Sequence, residues 1–186
     1  MTSSISELLK SAMKDETLIR FSSRFEDNFV KGYVLAVGEK FFVLALVSDR
    51  IRFDGYECFR VADIRDPRPD PCASFVEAAL KARNENKPRC PIEVANIETL
   101  LTSATGEYPI IAIHQEAIDP DVCWIGRVLS VKSGVVSFLA MRPDASWEED
   151  ATDYNLRDIT RVNFDGDYER ALHLVGGDPP PNRFPA

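Results

Sequence analysis

Four cysteines and two histidines are the residues of this chain best suited to metal or redox chemistry. The cysteines stand at positions 58, 72, 90 and 123, with gaps of 14, 18 and 33 residues. No C-x-x-C pair is present that would begin a zinc site or a redox dithiol. His114 follows an apolar run and is interpreted as a structural histidine, while His173 lies in a predicted terminal helix. We therefore expect reduced thiols, no metal and no cofactor.

The motifs of the commonest enzyme classes are missing from the sequence. It contains no G-x-S-x-G, no Walker A motif, no G-x-G-x-x-G and no H-E-x-x-H. We assign no catalytic residue and expect a protein that is not an enzyme. An enzyme of unfamiliar type is kept as the third of three functional hypotheses.

The most unusual segment is the loop 142–153, in which Trp147 is followed by Glu148, Glu149 and Asp150. A tryptophan beside carboxylates is typical of contact with a basic protein partner, because tryptophan is enriched at binding hot spots and charges steer association. These four residues are the predicted partner-binding site. The alternative interpretation is a solvated loop whose Trp147 folds onto its own domain. A calcium loop is not expected, because the segment lacks the glycine that such loops use to bend.

Arg50 and Arg52 are the candidate nucleic-acid contacts. They alternate with apolar residues, so a strand would place both guanidiniums on one face. The competing interpretation is an exposed polar face whose charge is offset by Asp49 and Asp54.

Charge is distributed unevenly along the 186 residues, whose formal net charge is −8. Residues 1–92 hold 15 basic and 14 acidic side chains, whereas residues 93–186 hold 7 and 16. The second half has a formal net charge of −9 and is expected to repel phosphate backbones. Binding of nucleic acid by the whole chain is therefore disfavoured, and a local patch in the first half is the remaining possibility.

Composition and hydropathy place the chain among ordinary globular proteins. Hydrophobic residues make up 45% and charged residues 28% of the sequence. No segment approaches the roughly 20 apolar residues of a membrane-spanning helix, and residues 1–14 lack the layout of a signal peptide. We expect a cytoplasmic protein of one domain or two small ones.

An internal duplication organises the predicted secondary-structure elements, and these elements determine where the candidate site residues lie. The segment 5–12 reappears as 97–104, the segment 32–37 as 126–131, and the segment 59–64 as 154–159. The offset grows only from 92 to 95, which is what duplication followed by small loop insertions would leave. Four leucines occupy the centres of the two repeated helix faces and are predicted to be buried: Leu8, Leu9, Leu100 and Leu101.

Each half is predicted to contain a leading helix, a set of strands and a trailing helix. Runs rich in valine and phenylalanine at 29–37 and 41–47 predict a hairpin, with counterparts at 124–131 and 135–141. Asn96 is the predicted cap of the second leading helix. A tight turn at 62–64 leads to a last short strand, and the polar connector 84–91 contains two prolines that prevent helix continuation.

This order of elements resembles the small five-stranded barrels of the Sm-like and SH3-like type. The resemblance rests on a glycine inside the first hairpin strand, Gly32 and Gly126, and on a Val/Leu-x-Asp-Ile element at 61–64 and 156–159. It covers about residues 1–66 and 93–164 and implies a helix, a bent sheet and RNA binding. Sm-like proteins usually join a polar or basic residue to glycine before the last strand. Neither half has that motif, so no RNA contact is carried over.

The expected fold is α+β, an internal duplication of a small five-stranded barrel-type sheet in which each copy has a leading and a trailing helix. The predicted units are a first repeat at 1–84, a linker at 85–92, a second repeat at 93–177 and a flexible proline-rich tail at 178–186. The favoured function is a non-catalytic cytoplasmic interaction module, an adaptor or an inhibitor of the immunity type, whose acidic second half binds a basic protein partner. RNA binding is the alternative.

Overall fold

A computed structural model describes residues 2–89 and 92–180. These residues form four α-helices, ten β-strands and two 3-10 turns. In chain order they are α1 (Thr2–Lys14), β1 (Leu18–Ser23), β2 (Phe29–Val37), β3 (Phe41–Val47), β4 (Phe53–Arg60), the first 3-10 turn (Val61–Asp63), β5 (Ile64–Pro69), α2 (Ala73–Ala82), α3 (Ile97–Glu107), β6 (Ile111–His114), β7 (Cys123–Lys132), β8 (Val135–Ala140), β9 (Thr152–Asn155), the second 3-10 turn (Leu156–Asp158), β10 (Arg161–Phe164) and α4 (Asp167–Gly176).

Several local predictions are confirmed. The hairpin runs coincide with β2 and β3, and their counterparts with β7 and β8. The side chain of Asn96 accepts a hydrogen bond from the Thr99 amide at 2.9 Å, which satisfies one of the free amides at the start of α3. Strands β1 and β6 were not assigned from the sequence, because each is a short apolar run that periodicity alone cannot separate from a helix.

The two separate small barrels predicted from the sequence are wrong. All ten strands belong to one continuous, open antiparallel sheet in the order β5-β1-β2-β3-β4-β10-β6-β7-β8-β9. Strands β4 and β10 join the halves through four consecutive residue pairs, from Arg161 opposite Phe59 to Phe164 opposite Tyr56. This pairing satisfies backbone groups that would otherwise form an unpaired sheet edge. The sheet therefore continues through the junction.

The connectivity of the first half nevertheless occurs again in the second. Strands β5-β1-β2-β3-β4 and β10-β6-β7-β8-β9 follow the same order. Gly32 lies opposite Ile19 and Leu46, and Gly126 lies opposite Ile111 and Ala140. A Cβ atom on Gly126 would lie 2.1 Å from the carbonyl oxygen of Leu139, so the neighbouring strand leaves room only for glycine.

Each helix covers its own apolar cluster on the sheet. Helix α1 packs on a cluster around Phe21 and Phe42, α2 on one around Tyr33, and α4 on one around Met141. The largest cluster, under α3, takes residues from both halves, including Tyr56, Leu101 and Phe164. Both halves therefore share one core at their junction.

The predicted burial of the four leucines is confirmed at three of them. Leu9, Leu100 and Leu101 are fully buried, whereas Leu8 is partly exposed. No helix within 2–89 and 92–180 is long and apolar enough to cross a membrane. The linker at 85–92 and the tail at 178–186 stay predictions, and their residues 90, 91 and 181–186 lie outside the described part of the chain.

Candidate functional site

Trp147 packs against its own chain. The indole is partly buried against the cluster that contains Met141 and Leu172, and its Nε1 donates to the carbonyl oxygen of Gly177 at 3.3 Å. Strand-like pairing between Met141 and Trp147 holds the start of the loop on the sheet. The tryptophan therefore has a structural contact at the carboxyl end of α4.

The carboxylates after Trp147 differ in their surroundings. Glu148 receives two hydrogen bonds from the Arg142 guanidinium, at 2.9 and 2.5 Å, and this contact raises the pKa of Arg142 above its ordinary value. Glu149 and Asp150 are exposed. One of the three predicted steering charges is thus already paired with a cation, and the role of this loop in partner binding stays a prediction.

Arg50 and Arg52 do not share a strand face, contrary to the sequence interpretation. Residues 48–52 form the turn between β3 and β4, in which Ile51 adopts a positive φ of 55°. Arg83 holds the turn by donating to the backbone carbonyls of Arg50 and Ile51. The Arg52 guanidinium lies 3.9 Å from Glu85. Because the backbone of this turn does not alternate as a strand does, the argument that placed both arginines on one face does not apply.

A small acidic pocket lies where β4 of the first half meets β10 and the start of α4. Its volume is about 160 Å³. Four of its lining residues are carboxylates, and none is a lysine, arginine or histidine. We call this site the acidic pocket; its carboxylates are Asp54, Glu57, Asp167 and Glu169, and its aromatic residues are Tyr56, Phe164 and Tyr168.

Secondary structure positions each carboxylate. Glu57 lies opposite Asn163 in the β4–β10 pairing, and the Asn163 amide donates to it at 3.2 Å. Asp54 accepts a hydrogen bond from the Asp167 amide at 2.7 Å, which satisfies a free donor in the first turn of α4. Glu169 lies in that same turn and is buried. The start of α4 thus gathers the acidic groups over the sheet.

Burial disfavours the charged form of two of these carboxylates. The pKa of Glu57 is raised to about 7, mainly by desolvation; Arg161 opposes the rise, and Glu26, Glu169 and Glu116 add to it. Desolvation likewise raises the pKa of Glu169; hydrogen bonds from the backbone and the charge of Arg170 oppose the rise, and Asp54 adds to it. A cation placed in the pocket would favour the ionised form of both groups.

No basic side chain is among the described residues that line the acidic pocket, although Arg161 offsets part of the charge of Glu57 and Arg170 part of that of Glu169. Arg170 pairs with Asp165 and Asp167. Within 2–89 and 92–180, no basic side chain lies within ion-pair distance of Asp54, Glu57 or Glu169. The Oδ1 atom of Asn163 is also buried without a hydrogen-bond partner. Three carboxylates and an amide oxygen are acceptors, so the pocket is suited to a ligand that donates hydrogen bonds.

An aromatic wall completes the acidic pocket. Tyr56 stacks on Phe164 with ring centres 5.1 Å apart, and Tyr108 stacks on the same Phe164 at 4.9 Å. Tyr168 stands at the start of α4 with 56% of its surface exposed. A flat or cationic group entering the pocket would meet an accessible aromatic ring as well as carboxylates.

A buried charge cluster borders the pocket at the junction of the halves. The Arg161 guanidinium lies 3.1 Å from Glu116 and 3.8 Å from Glu26, and one of its nitrogens is 3.3 Å from Nδ1 of His114. His114 and Glu116 are almost entirely buried. Burial, helped by Arg161, lowers the pKa of His114 to about 3, so this imidazole is neutral at ordinary pH.

Sequence reasoning missed the acidic pocket, because all of its lining residues except Leu46 come from two distant segments, 54–57 and 163–169. One signal was present. In a strand, Glu57 shares a face with Phe59, so a charged side chain stands on the same face as an aromatic residue that is buried. The pairing of β4 with β10 brings Asn163 beside Glu57. No pattern among neighbouring residues of the sequence predicts this pairing.

Other candidate chemistry is sparse in the described part of the chain. Cys58 is buried, and Cys72 and Cys123 are exposed. No group of three or more histidine, cysteine, aspartate or glutamate side chains among the described residues is arranged to hold a metal ion. Comparison of the chain with protein-family models, with curated proteins and with solved structures gave no match.

Proposed function

We propose that this chain is a non-catalytic cytoplasmic interaction module that binds a basic segment of a protein partner, with an arginine side chain of that partner in the acidic pocket. The observation that supports the proposal is a cluster of four carboxylates beside an exposed tyrosine, of which three have no ion-pair partner among the described residues. A partner guanidinium would supply the missing charge and donate several hydrogen bonds in one plane.

The size of the acidic pocket favours a side chain over a whole metabolite. Sites for small molecules usually enclose roughly 300–1,000 Å³. The acidic pocket, at about 160 Å³, is smaller. A protein partner would also cover the exposed Tyr168, a residue type enriched at binding hot spots. Trp147 lies against the opposite end of α4, so one partner lying along this helix would reach both places.

The test is titration with a short arginine-containing peptide and with a matched peptide that has citrulline at the same positions. We expect the arginine peptide to bind and the citrulline peptide, which lacks the charge, to bind at least tenfold more weakly. Tyr168→Ala should weaken arginine-peptide binding by at least about tenfold. Asp119→Asn, which neutralises an exposed carboxylate away from the pocket, is the matched control and should bind like the unaltered protein.

The pH dependence of binding identifies the carboxylate involved. Because the pKa of Glu57 is about 7, this group is ionised above that pH and protonated below it. Peptide binding should therefore be stronger at about pH 8 than at about pH 6, and Glu57→Gln should remove most of the difference. Equal binding of the two peptides, or unchanged binding by both variants, would show that the acidic pocket is not the partner site.

Single-stranded nucleic-acid binding is a second candidate, favoured by a basic surface on strands β5, β1 and β2 at one edge of the sheet. Arg20 of β1 lies directly between Lys31 of β2 and Arg68 of β5. Like charges in adjacent positions on a sheet are unfavourable unless an anion compensates them. Phe29, which is 53% exposed, has the guanidiniums of Arg20 and Arg68 within 4.8 and 5.3 Å of its ring centre.

The charge of this surface is only partly compensated by carboxylates of the described residues. Lys31 pairs with the exposed Asp49 at 3.3 Å, but the described residues place no carboxylate within ion-pair distance of Arg20 or Arg68. The Nε atom of Arg20 is buried without a hydrogen-bond partner. Exposed aromatic rings between cations are the groups on which single-stranded bases stack.

A labelled oligouridylate tests the second candidate. Phe29→Ala should weaken its binding by about 1–3 kcal/mol, and Arg68→Gln should make the dependence on salt shallower. The Arg50→Gln/Arg52→Gln variant is the matched comparison, because it removes the arginines assigned from the sequence. A larger loss in that variant than at Phe29 and Arg68 would place the contact at the turn 48–52 instead.

A further inference from the structure

A second pocket lies at the junction of the two halves, apart from the acidic pocket. It has a volume of about 450 Å³ and is bounded by both 3-10 turns and by the first residue of α3. Its apolar wall consists of Phe41, Val61, Ile97 and Leu156, of which all but Ile97 are almost completely buried. We call it the turn pocket. Its size lies in the range of sites that enclose a small molecule.

The polar groups around the turn pocket are mainly cationic. Lys40, Arg60 and Arg157 line it, against the single carboxylate of Glu39. This local excess of positive charge stands out in a chain whose formal net charge is −8. Such a concentration of one sign beside an apolar wall favours an anion with an apolar part.

Arg60 is the best-positioned of these cations. It lies opposite Phe41 in the β3–β4 pairing, with its guanidinium 5.9 Å from the centre of the phenyl ring. It also donates to the backbone carbonyl of Arg157, which holds the side chain across the two turns. Within 2–89 and 92–180, no carboxylate lies within ion-pair distance of Arg60 or Lys40, whereas Arg157 has Asp158 at 3.7 Å.

We propose that the turn pocket binds an aliphatic monocarboxylate, with the carboxylate on Arg60 and the hydrocarbon chain against Phe41, Val61, Ile97 and Leu156. The apolar wall offers little to a ligand rich in hydroxyl or phosphate groups, because their desolvation would go uncompensated. The cations repel an alkylammonium ion of the same shape. A carboxylate suits the planar, multiply donating guanidinium.

Chain length and charge give the proposal measurable consequences. Each methylene transferred from water to the apolar wall should tighten binding by roughly fourfold until the pocket is full. Hexanoate, octanoate and decanoate should therefore bind with increasing affinity. Octanol and octylammonium share the chain but lack the negative charge, and both should bind at least tenfold more weakly than octanoate.

The experiment is calorimetric titration of the full chain with these compounds, supported by thermal melting with and without octanoate. Arg60→Met removes the charge and keeps an apolar side chain, so octanoate affinity should fall at least tenfold while octanol binding changes little. Ala62→Trp places a large side chain at the exposed rim of the turn pocket and should exclude all the ligands. Arg50→Met, in the turn 48–52, is the matched control and should bind octanoate normally.

Either variant can overturn the proposal. The proposed anion site would be wrong if Arg60→Met bound octanoate with unchanged affinity. It would also be wrong if the unaltered protein bound octanoate and octylammonium equally well. If Arg60→Met does not fold, the Ala62→Trp variant provides the test. Octanoate binding that persists in Ala62→Trp would show that the ligand binds outside the turn pocket. Because this pocket shares no residue with the acidic pocket, either result leaves the test of peptide binding independent.

Discussion

Replacing Arg161 with methionine is expected to lower the free energy of unfolding by about 3–5 kcal/mol. The Arg161 guanidinium lies 3.1 Å from Glu116, whose carboxylate is almost entirely buried. Removing the arginine leaves that carboxylate without a cation in a place where water cannot solvate it. Chemical denaturation of both proteins at neutral pH gives the difference.

Two comparisons separate this cause from loss of packing. Glu116→Gln in the Arg161→Met background removes the unpaired charge and should restore most of the lost stability. Arg157→Met, at an arginine with 83% of its side chain exposed, should cost less than about 0.5 kcal/mol. A double variant as unstable as Arg161→Met alone would show that packing of the arginine, rather than its charge, accounts for the loss.

Replacing Leu101 with alanine is expected to cost about 2–5 kcal/mol of folding stability. Leu101 is fully buried under α3, in the cluster that includes Tyr56 and Phe164 from both halves. Truncation leaves a cavity in the one core that spans the junction, and the ten-stranded sheet limits how far its walls can collapse. The midpoint of urea unfolding should therefore shift to a lower urea concentration.

Leu8 of α1 is the control for Leu101. The sequence places it on the repeated helix face beside Leu9, yet it is partly exposed. Leu8→Ala should therefore cost clearly less than Leu101→Ala, because fewer apolar contacts are lost. Equal losses at the two positions would contradict the structure, since they would require equal burial.

The functional proposals differ in how much of them was visible in the sequence. Trp147, Glu148, Glu149 and Asp150 were selected because an aromatic residue and acidic residues stand together in the chain. The structure pairs Glu148 with Arg142 and packs Trp147 against the end of α4. Composition within a loop thus located an unusual segment, but it did not show which of its groups were already satisfied by contacts within the chain.

The acidic pocket and the turn pocket were beyond the sequence analysis for a common reason. Glu57 and Asn163 are separated by 106 positions and become neighbours only through the pairing of β4 with β10. The turn pocket likewise joins Arg60 to Leu156 across the two halves. No local pattern reports such a contact, because it depends on which strand edges meet.

By itself, the sequence determined the local elements and their repetition. Helical periodicity predicted the buried face of α1 and α3, valine-rich alternation predicted the hairpin β2–β3, and the capping asparagine predicted the start of α3. These features depend on neighbours a few residues apart. Only the tertiary structure decided that the halves form one open sheet with a shared core, because an edge strand can close on its own half or pair with the other. The choice rests on the long-range register and packing of β4 against β10, and both candidate pockets at the junction follow from it.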